Sequence, residues 1–219
     1  DPDSYFFKRN NGVAHDSLSH GGFGAPIAYT GMVYSAFRPS DDACVYGYLV
    51  PSNIFFLNEL EHLPKALQTP ESVALSRDIR QGLERFALID GKYAYEVDGL
   101  GNSLFIDDAN IPSLLSLPFL GCISYDDARY SSTRAFILSA KNPYYFSGSK
   151  AAGIGSQHTP SGFVWPIALA VQALTDPSVS TKLNTLDLLE RTDANTGNMH
   201  EAFNVSDDKD FTRSWFSWA

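Results

Sequence analysis

Cysteine is scarce in this chain of 219 residues, which carries only Cys44 and Cys122. Two thiols cannot build a disulfide framework; they could pair with each other, but we expect two buried free thiols. Positive charge is also scarce, since 16 Lys and Arg stand against 25 Asp and Glu, a formal net charge of −9. This deficit argues against a nucleic-acid partner or an anionic membrane surface, both of which select a basic face. No apolar run is long enough to cross a bilayer, so we expect no membrane partner.

Hydrophobic residues make up 44% of the sequence, enough for a sizeable core. We therefore predict that residues 1–219 belong to one domain, of which they form a portion. The chain begins at Asp1 without a methionine or a signal peptide, and it stops within the bulky segment 211–219. We expect a fragment or a processed chain.

Apolar spacing predicts several helices joined by long loops. Ile54, Leu57 and Leu60 recur at helical spacing within 52–63. A second helix is predicted to open at Thr69-Pro70 and to end at Gly91. A short hairpin is predicted to pair 92–97 with 103–106. Further helices are predicted near 110–118, 126–140, 162–175, 177–192 and 211–219. Paired helices with long loops favour a helical toroid or bundle.

Metal and nucleotide motifs are incomplete. In the segment that begins His200-Glu201, Asn204 stands where a zinc-protease helix needs its second histidine. The segment from Asp193 lacks the closing glutamate of a calcium loop and is more simply a turn after a helix. Gly153-Ile154-Gly155 lacks the third glycine of a dinucleotide site. None of these segments therefore indicates a metal site or a cofactor.

Two separated carboxylate sites are the main candidates for chemistry. Asp41 and Asp42 lie between aromatic residues and Arg38, and Glu201 lies far downstream. Two carboxylates among aromatics suggest acid/base chemistry on a sugar. A structural alternative stays open, in which Ser40 or Asp41 caps a helix over 43–48. Capping is likewise an alternative for Asp107 and Asp108, and surface or local hydrogen-bonding roles are alternatives for Glu201 and His158.

Several segments occur together in the order and spacing of one enzyme family. They are 28–32, 37–44, 46–48, 107–115, 142–146, 153–156, 158–160, 165–167, 199–201 and 211–213. Any one of them is weak evidence, but together they are specific. The chain thus resembles glycoside hydrolase family 125, the exo-acting α-1,6-mannosidases. Asn195, Gln157 and Ser214 depart from the family pattern, but none is a candidate catalytic residue. The likeness covers the C-terminal half or so of such an enzyme.

This resemblance implies an all-α, (α/α)6 toroid, of which this chain is only a part. It implies removal of a terminal, non-reducing α-1,6-linked mannose from oligosaccharides or N-glycans, with inversion and without a metal. Asp41 is favoured as the general acid, Asp42 is the alternative, and Glu201 is the general base. An inverting pair needs its carboxyls about 6.5–9.5 Å apart. Candidate substrate-binding residues are Arg38, Asp107, Asp108, Asn110, His158, His200 and Arg213.

Two alternative functions remain open. A polysaccharide lyase would use extra positive charge to bind uronic acids, which this acidic chain does not show. A non-catalytic sugar-binding or structural fragment is the alternative if the missing N-terminal segment of the same enzyme is truly absent, because the ring of helices then cannot close. Location stays open: Asn204-Val205-Ser206 is a glycosylation acceptor if the protein is a secreted eukaryotic one, and a cytoplasmic location is the alternative.

Overall fold

The computed structural model describes residues 5–219. About a third of the chain is helical. The five α-helices of the described residues are α1 (Val50–Glu61), α2 (Pro70–Gly82), α3 (Ala128–Ile137), α4 (Pro166–Leu174) and α5 (Val179–Arg191). These helices confirm the predictions made for 52–63, 126–140 and 177–192, and the later part of 162–175.

Helix α2 begins as its sequence predicts but ends earlier. The hydroxyl of Thr69 accepts a hydrogen bond from the Ser72 N–H, and the Ser72 hydroxyl accepts one from the Thr69 N–H, which forms a capping box. The helix passes at Gly82 into a π-helical turn, Leu83–Ala87. Gly91, predicted to end this helix, lies instead in a tight turn at φ +73°, a conformation that suits glycine.

The strands of residues 5–219 are short and form four small antiparallel sheets. One sheet has the order β1 (Tyr48–Leu49), β4 (Glu96–Val97), β5 (Ser103–Leu104), and a second has the order β10 (Asp207–Thr212), β9 (Ala202–Asn204), β8 (Phe163–Val164). Two hairpins pair β2 (Leu88–Ile89) with β3 (Lys92–Tyr93), and β6 (Tyr145–Ser147) with β7 (Ala152–Ile154). The pairing of β4 with β5 confirms the hairpin predicted between 92–97 and 103–106.

The expectation of an all-α toroid is wrong for this chain, because strands and turns replace several predicted helices. Residues 110–118 form turns rather than a helix, since Pro112 and Pro118 limit the run and Asp107 binds its backbone N–H groups. Residues 207–212 form strand β10, which pairs with β9, and the segment that follows is irregular, with a turn at 217–218. Tertiary pairing and buried polar contacts override the helical spacing there.

The core lies between α1, α2, the hairpins and α4. Its largest fully buried side chains include Trp165 and Tyr95. A second, smaller cluster packs α5 against the sheet that contains β8 and β9. Both cysteines are free thiols, as predicted, although Cys122 is only half-buried. Within residues 5–219 we find no helix that combines the length and the apolar character needed to span a bilayer.

Candidate active site

One cavity of about 370 Å³ collects residues from distant parts of the sequence. Among the residues predicted for the site, it brings together Asp41, Asn110, His158, Glu201 and Arg213. The rest of its described lining consists of Ser40, Trp165, Trp215, Phe216, Ser217 and Trp218. Asp41 and Glu201 therefore share one cavity, although the chain between them includes all five helices of the described residues.

Asp41 lies at the tip of a tight loop. An isolated bridge pairs Phe37 with Ala43, the Arg38 N–H donates to the Asp42 carbonyl over 2.8 Å, and the Asp41 N–H donates to the Arg38 carbonyl over 3.0 Å. Asp41 has φ +68°, a left-handed conformation that few residues other than glycine adopt. The loop thus exposes the Asp41 side chain at the cavity. The alternative of a helix over 43–48 is wrong, since this segment is irregular and then enters β1.

Asp42 is fully buried and lies outside the described cavity lining. The hydroxyl of Ser40 donates to its Oδ2 over 2.6 Å, and His15 Nδ1 lies 2.5 Å from its Oδ1. His158 Nδ1 lies 3.6 Å from the same Oδ1 atom. Asp42 therefore acts as a buried acceptor behind the loop that presents Asp41.

Arg38 also lies behind the cavity wall. Its Nε donates to Glu96 Oε1 over 2.6 Å, and both side chains are buried. Burial opposes the charge of Arg38, but the neighbouring Glu96 carboxylate outweighs it and raises the pKa of Arg38. Its guanidinium also donates a weak hydrogen bond to the Gln157 amide oxygen over 3.4 Å and lies over the Tyr95 ring, 5.5 Å from the centroid. The structure therefore places Arg38 in a structural ion pair and not at the cavity surface formed by the described residues.

Asp107 and Asp108 are buried and organise the loops beneath the cavity. The N–H groups of Leu114 and Leu115 donate to the Asp107 carboxylate over 2.8 and 2.9 Å. Burial nevertheless raises the pKa of Asp107 to about 8. Asp107 therefore binds backbone N–H groups as a helix cap would, but the segment that it binds forms turns and no helix, and Asp107 is not in the described cavity lining.

Asp108 connects two loops of the site. The Ser156 hydroxyl donates to Asp108 Oδ2 over 2.8 Å, and the Asn110 N–H donates to Oδ1 over 3.1 Å. Burial raises the pKa of Asp108 against these hydrogen bonds. Of this segment only Asn110 lines the cavity. Asp108 thus holds Asn110 in place while itself lying outside the described lining.

Glu201 is buried next to the positively charged side chain of Arg213. It immediately precedes β9, and its Oε1 lies 3.2 Å from Arg213 Nε, just after β10. The Arg213 side chain is 61% exposed, whereas that of Glu201 is 8% exposed. The antiparallel pairing of β9 with β10 brings the two residues together. Arg213 thus places a positive charge and N–H donors beside the Glu201 carboxylate.

His200 precedes Glu201 but lies outside the described cavity lining. Its ring stacks on Phe211 at 3.8 Å between centroids, and its Nδ1 lies 3.1 Å from the Ser214 carbonyl oxygen. A carbonyl only accepts, so Nδ1 carries the hydrogen. His200 therefore fixes the backbone that follows Arg213, which is an indirect role in the site.

Aromatic side chains form one side of the cavity, and sequence reasoning did not assign them to the site. Trp165 is buried, and its indole N–H donates to the Thr159 hydroxyl over 2.9 Å. Phe216 packs edge-on against Trp165 at 5.6 Å and contacts Trp218 at 5.3 Å. Trp215 and Trp218 are 66% and 62% exposed. The cluster of bulky residues in 211–219 was the available signal.

His15 and Glu96 were also missed. His15 contacts Asp42, and the two oxygens of Glu96 hold Arg38 and the N–H groups of Val45 and Tyr46. Neither residue belongs to a recognisable motif, and each acts through a long-range contact. Within residues 5–219, no group of three His, Cys, Asp or Glu side chains is arranged to hold a metal ion.

Comparisons with known proteins give the family of the chain. The family model for metal-independent α-mannosidases (GH125) matches residues 1–219. The chain is 45% identical to the meiotically up-regulated gene 157 protein of Schizosaccharomyces pombe, a match that covers 98% of this chain and 45% of that protein.

A solved structure gives a second comparison. A metal-independent α-mannosidase of Streptococcus pneumoniae, in a non-productive substrate complex with α-1,6-mannobiose, is 44% identical with a TM-score of 0.90. The match covers 98% of this chain and 54% of that one, so the chain spans about half the length of both relatives. A family match over the whole chain, with such similarity in sequence and structure, shows that this chain belongs to the GH125 family of metal-independent α-mannosidases.

Proposed function

We propose that this chain forms part of the catalytic domain of an exo-acting glycoside hydrolase that removes terminal α-1,6-linked mannose with inversion. The observation that carries the proposal is the shared cavity of Asp41 and Glu201, with Arg213 beside Glu201 and tryptophans at its side. Because both relatives are about twice as long, the proposal includes an N-terminal part of the same enzyme that contributes to the domain.

In this mechanism Asp41 is the general acid. It protonates the glycosidic oxygen, so that the leaving sugar departs as an alcohol and not as an alkoxide. Asp41 suits this role better than Asp42, because Asp41 faces the cavity whereas Asp42 is enclosed by Ser40 and His15. The left-handed backbone at Asp41 is the kind of strain that collects at functional sites.

Glu201 is the general base. It takes a proton from a water molecule that attacks the anomeric carbon from the face opposite the leaving group. The base must be ionised to take this proton, and the Arg213 guanidinium lies beside it, with Nε 3.2 Å from Oε1 of Glu201. An α-linked mannose then leaves as the β-anomer, because attack from the opposite face inverts the configuration.

The uncharged sugar is recognised by a mixed surface. Asn110 and His158 offer hydrogen bonds to hydroxyl groups, and exposed indole rings offer apolar faces to the C–H groups of the ring. This combination suits a neutral oligosaccharide or glycan.

The decisive experiment follows α-1,6-mannobiose by proton NMR with the full-length natural protein. We expect cleavage with β-mannose as the first product, and little cleavage of α-1,2- or α-1,3-mannobiose. Glu201→Gln should abolish turnover and leave mannose binding largely intact. Glu190→Gln, an exposed position on α5, is the matched control and should retain full activity.

Three results would contradict the proposal. Retained activity in Glu201→Gln removes the base, and α-mannose as first product removes inversion. Mannose binding without cleavage by the wild-type protein supports the sugar-binding alternative instead.

A further inference from the structure

The carboxylate of Asp42 has an unusual set of neighbours for a fully buried group. Ser40 Oγ donates to Oδ2 over 2.6 Å, while two histidine Nδ1 atoms face Oδ1, that of His15 at 2.5 Å and that of His158 at 3.6 Å. An ionised carboxylate only accepts hydrogen bonds. The imidazole nitrogens that face it are therefore favoured as N–H donors.

His158 connects this buried carboxylate with the cavity. Its backbone N–H donates to Ser156 Oγ over 3.2 Å, and Ser156 is held by Asp108, so the main chain is fixed. Its side chain lines the cavity that contains Asp41 and Glu201. Its Nδ1 atom is buried and has no hydrogen-bond partner among the described residues. Asp42 Oδ1 is the acceptor toward which a small ring movement would direct this N–H.

We propose that Asp42 is a positioning residue that holds His158 as the Nδ1–H tautomer, so that its bare Nε2 accepts a hydrogen bond from a hydroxyl group of the bound sugar. The two ring nitrogens lie on different edges of the imidazole, so an Nδ1–H directed at Asp42 leaves Nε2 free to face a ligand. The identity of the ligand as a sugar rests on the proposed function, whereas the Nδ1–H tautomer of His158 does not.

The surroundings favour an acceptor at this position. Asn110 and Arg213 supply donors in the cavity, whereas Asp41 and Glu201 are reserved for proton transfer in the proposed mechanism. A sugar hydroxyl must donate its own hydrogen to some acceptor, and a neutral imidazole nitrogen can take it. The orientation of His158 would thereby select one arrangement of the ligand.

His15 provides a matched control. It approaches the same Oδ1 atom from another part of the chain and also lies 3.6 Å from Asp16 Oδ1, but it is not part of the described cavity lining. Replacing His15 removes an imidazole from Asp42 without removing a group from the cavity. Replacing His158 removes both.

The first test is nitrogen NMR of histidine-labelled wild-type protein at about pH 8, where an imidazole is ordinarily neutral. The chain has five histidines, and His158→Gln assigns the signal of interest. We expect the Nδ1–H tautomer for His158, and a shift towards Nε2–H in Asp42→Asn. A His158 signal of the Nε2–H tautomer in the wild type would overturn the proposal, and this measurement needs no variant of Asp42.

The second test is titration with mannose. We expect His158→Gln to weaken binding about three- to tenfold, the loss of one ordinary hydrogen bond, and His15→Gln to weaken it less than about twofold. Asp42→Asn should raise KM by a similar factor as His158→Gln, with a smaller change in kcat. Equal affinity of wild type and His158→Gln would contradict the role of Nε2. If no mannosidase activity is found while the Nδ1–H tautomer and its dependence on Asp42 are observed, the proposed function fails and the positioning role of Asp42 stands.

Discussion

Arg38 Nε donates to Glu96 Oε1 over 2.6 Å, and this buried ion pair fastens the loop that carries Asp41 to strand β4. The other oxygen of Glu96 accepts the N–H groups of Val45 and Tyr46 over 2.8 and 2.9 Å. One carboxylate thus holds the loop on both sides of Asp41. The position of the candidate acid depends on a residue that is not itself in the described cavity lining.

Replacing Glu96 should therefore destabilise the protein strongly. We expect Glu96→Gln to lower the free energy of unfolding by about 3–5 kcal/mol, because it leaves the Arg38 charge buried without its partner. Urea unfolding measures the loss. Glu61→Gln breaks the exposed pair with Arg80 and should cost no more than about 1 kcal/mol. Equal stability of the two variants would show that the Arg38–Glu96 pair does not hold the loop.

Arg38 also shows how far sequence reasoning could reach. The segment around Arg38 and Asp41 could be recognised, because its residue types and order are specific. The partner Glu96 lies 58 positions away, and no local pattern shows that the two side chains meet. The resemblance therefore identified the segment, while the structure distinguishes Asp41 at the cavity from Arg38 and Asp42 behind it.

The fold shows a similar division. Helices with regular apolar spacing and clear caps, such as α2 with Thr69, could be predicted from local signals. The segments 110–118 and 211–219 could not, because their conformation depends on Asp107 and on pairing with β9. The expectation of a purely helical chain failed at those long-range contacts.

The two neighbouring aspartates can be distinguished by their dependence on the leaving group. If Asp41 is the acid, Asp41→Asn should lower kcat on α-1,6-mannobiose by about 10²–10⁴-fold. A dinitrophenyl mannoside, whose leaving group needs no proton, should be hydrolysed much closer to the wild-type rate. Asp42→Asn should affect both substrates by similar factors, because it acts through position. The reverse pattern would assign the acid to Asp42.

Chelation should leave the activity unchanged. Within the described residues no three-residue cluster of metal-ligating side chains is found, and the carboxylates of the cavity have roles in proton transfer under the proposed mechanism. We expect the same rate of mannobiose cleavage before and after dialysis against EDTA, followed by NMR. Loss of activity that zinc or calcium restores would show that a metal takes part.

The N-terminus of α3 allows a prediction of stability against pH. Asp127 caps this helix, and its carboxylate accepts the N–H groups of Arg129 and Tyr130 over 2.8 and 3.3 Å. The Arg129 guanidinium lies 2.6 Å from the same carboxylate. Hydrogen bonds from the Arg129 side chain and from these N–H groups lower the pKa of Asp127 to about 2.

Because the ionised form is favoured in the folded protein, the contribution of Asp127 is fully present above its unfolded pKa of about 4 and is lost as the pH falls towards about 2. At neutral pH, Asp127→Ala should lower the free energy of unfolding by about 1 kcal/mol, the usual cost of losing a helix cap. Asp127→Asn keeps the capping oxygen but removes the charge. It should therefore lower the free energy of unfolding by less than Asp127→Ala does. The free energies of unfolding of the wild type and of Asp127→Asn should converge as the pH falls towards 2. Urea unfolding followed by circular dichroism measures both.

Asp126→Asn is the neighbouring control, since Asp126 contacts Ser124 and does not cap the helix. A difference between wild type and Asp127→Asn that stayed constant down to the lowest pH would show that the charge of Asp127 does not stabilise α3.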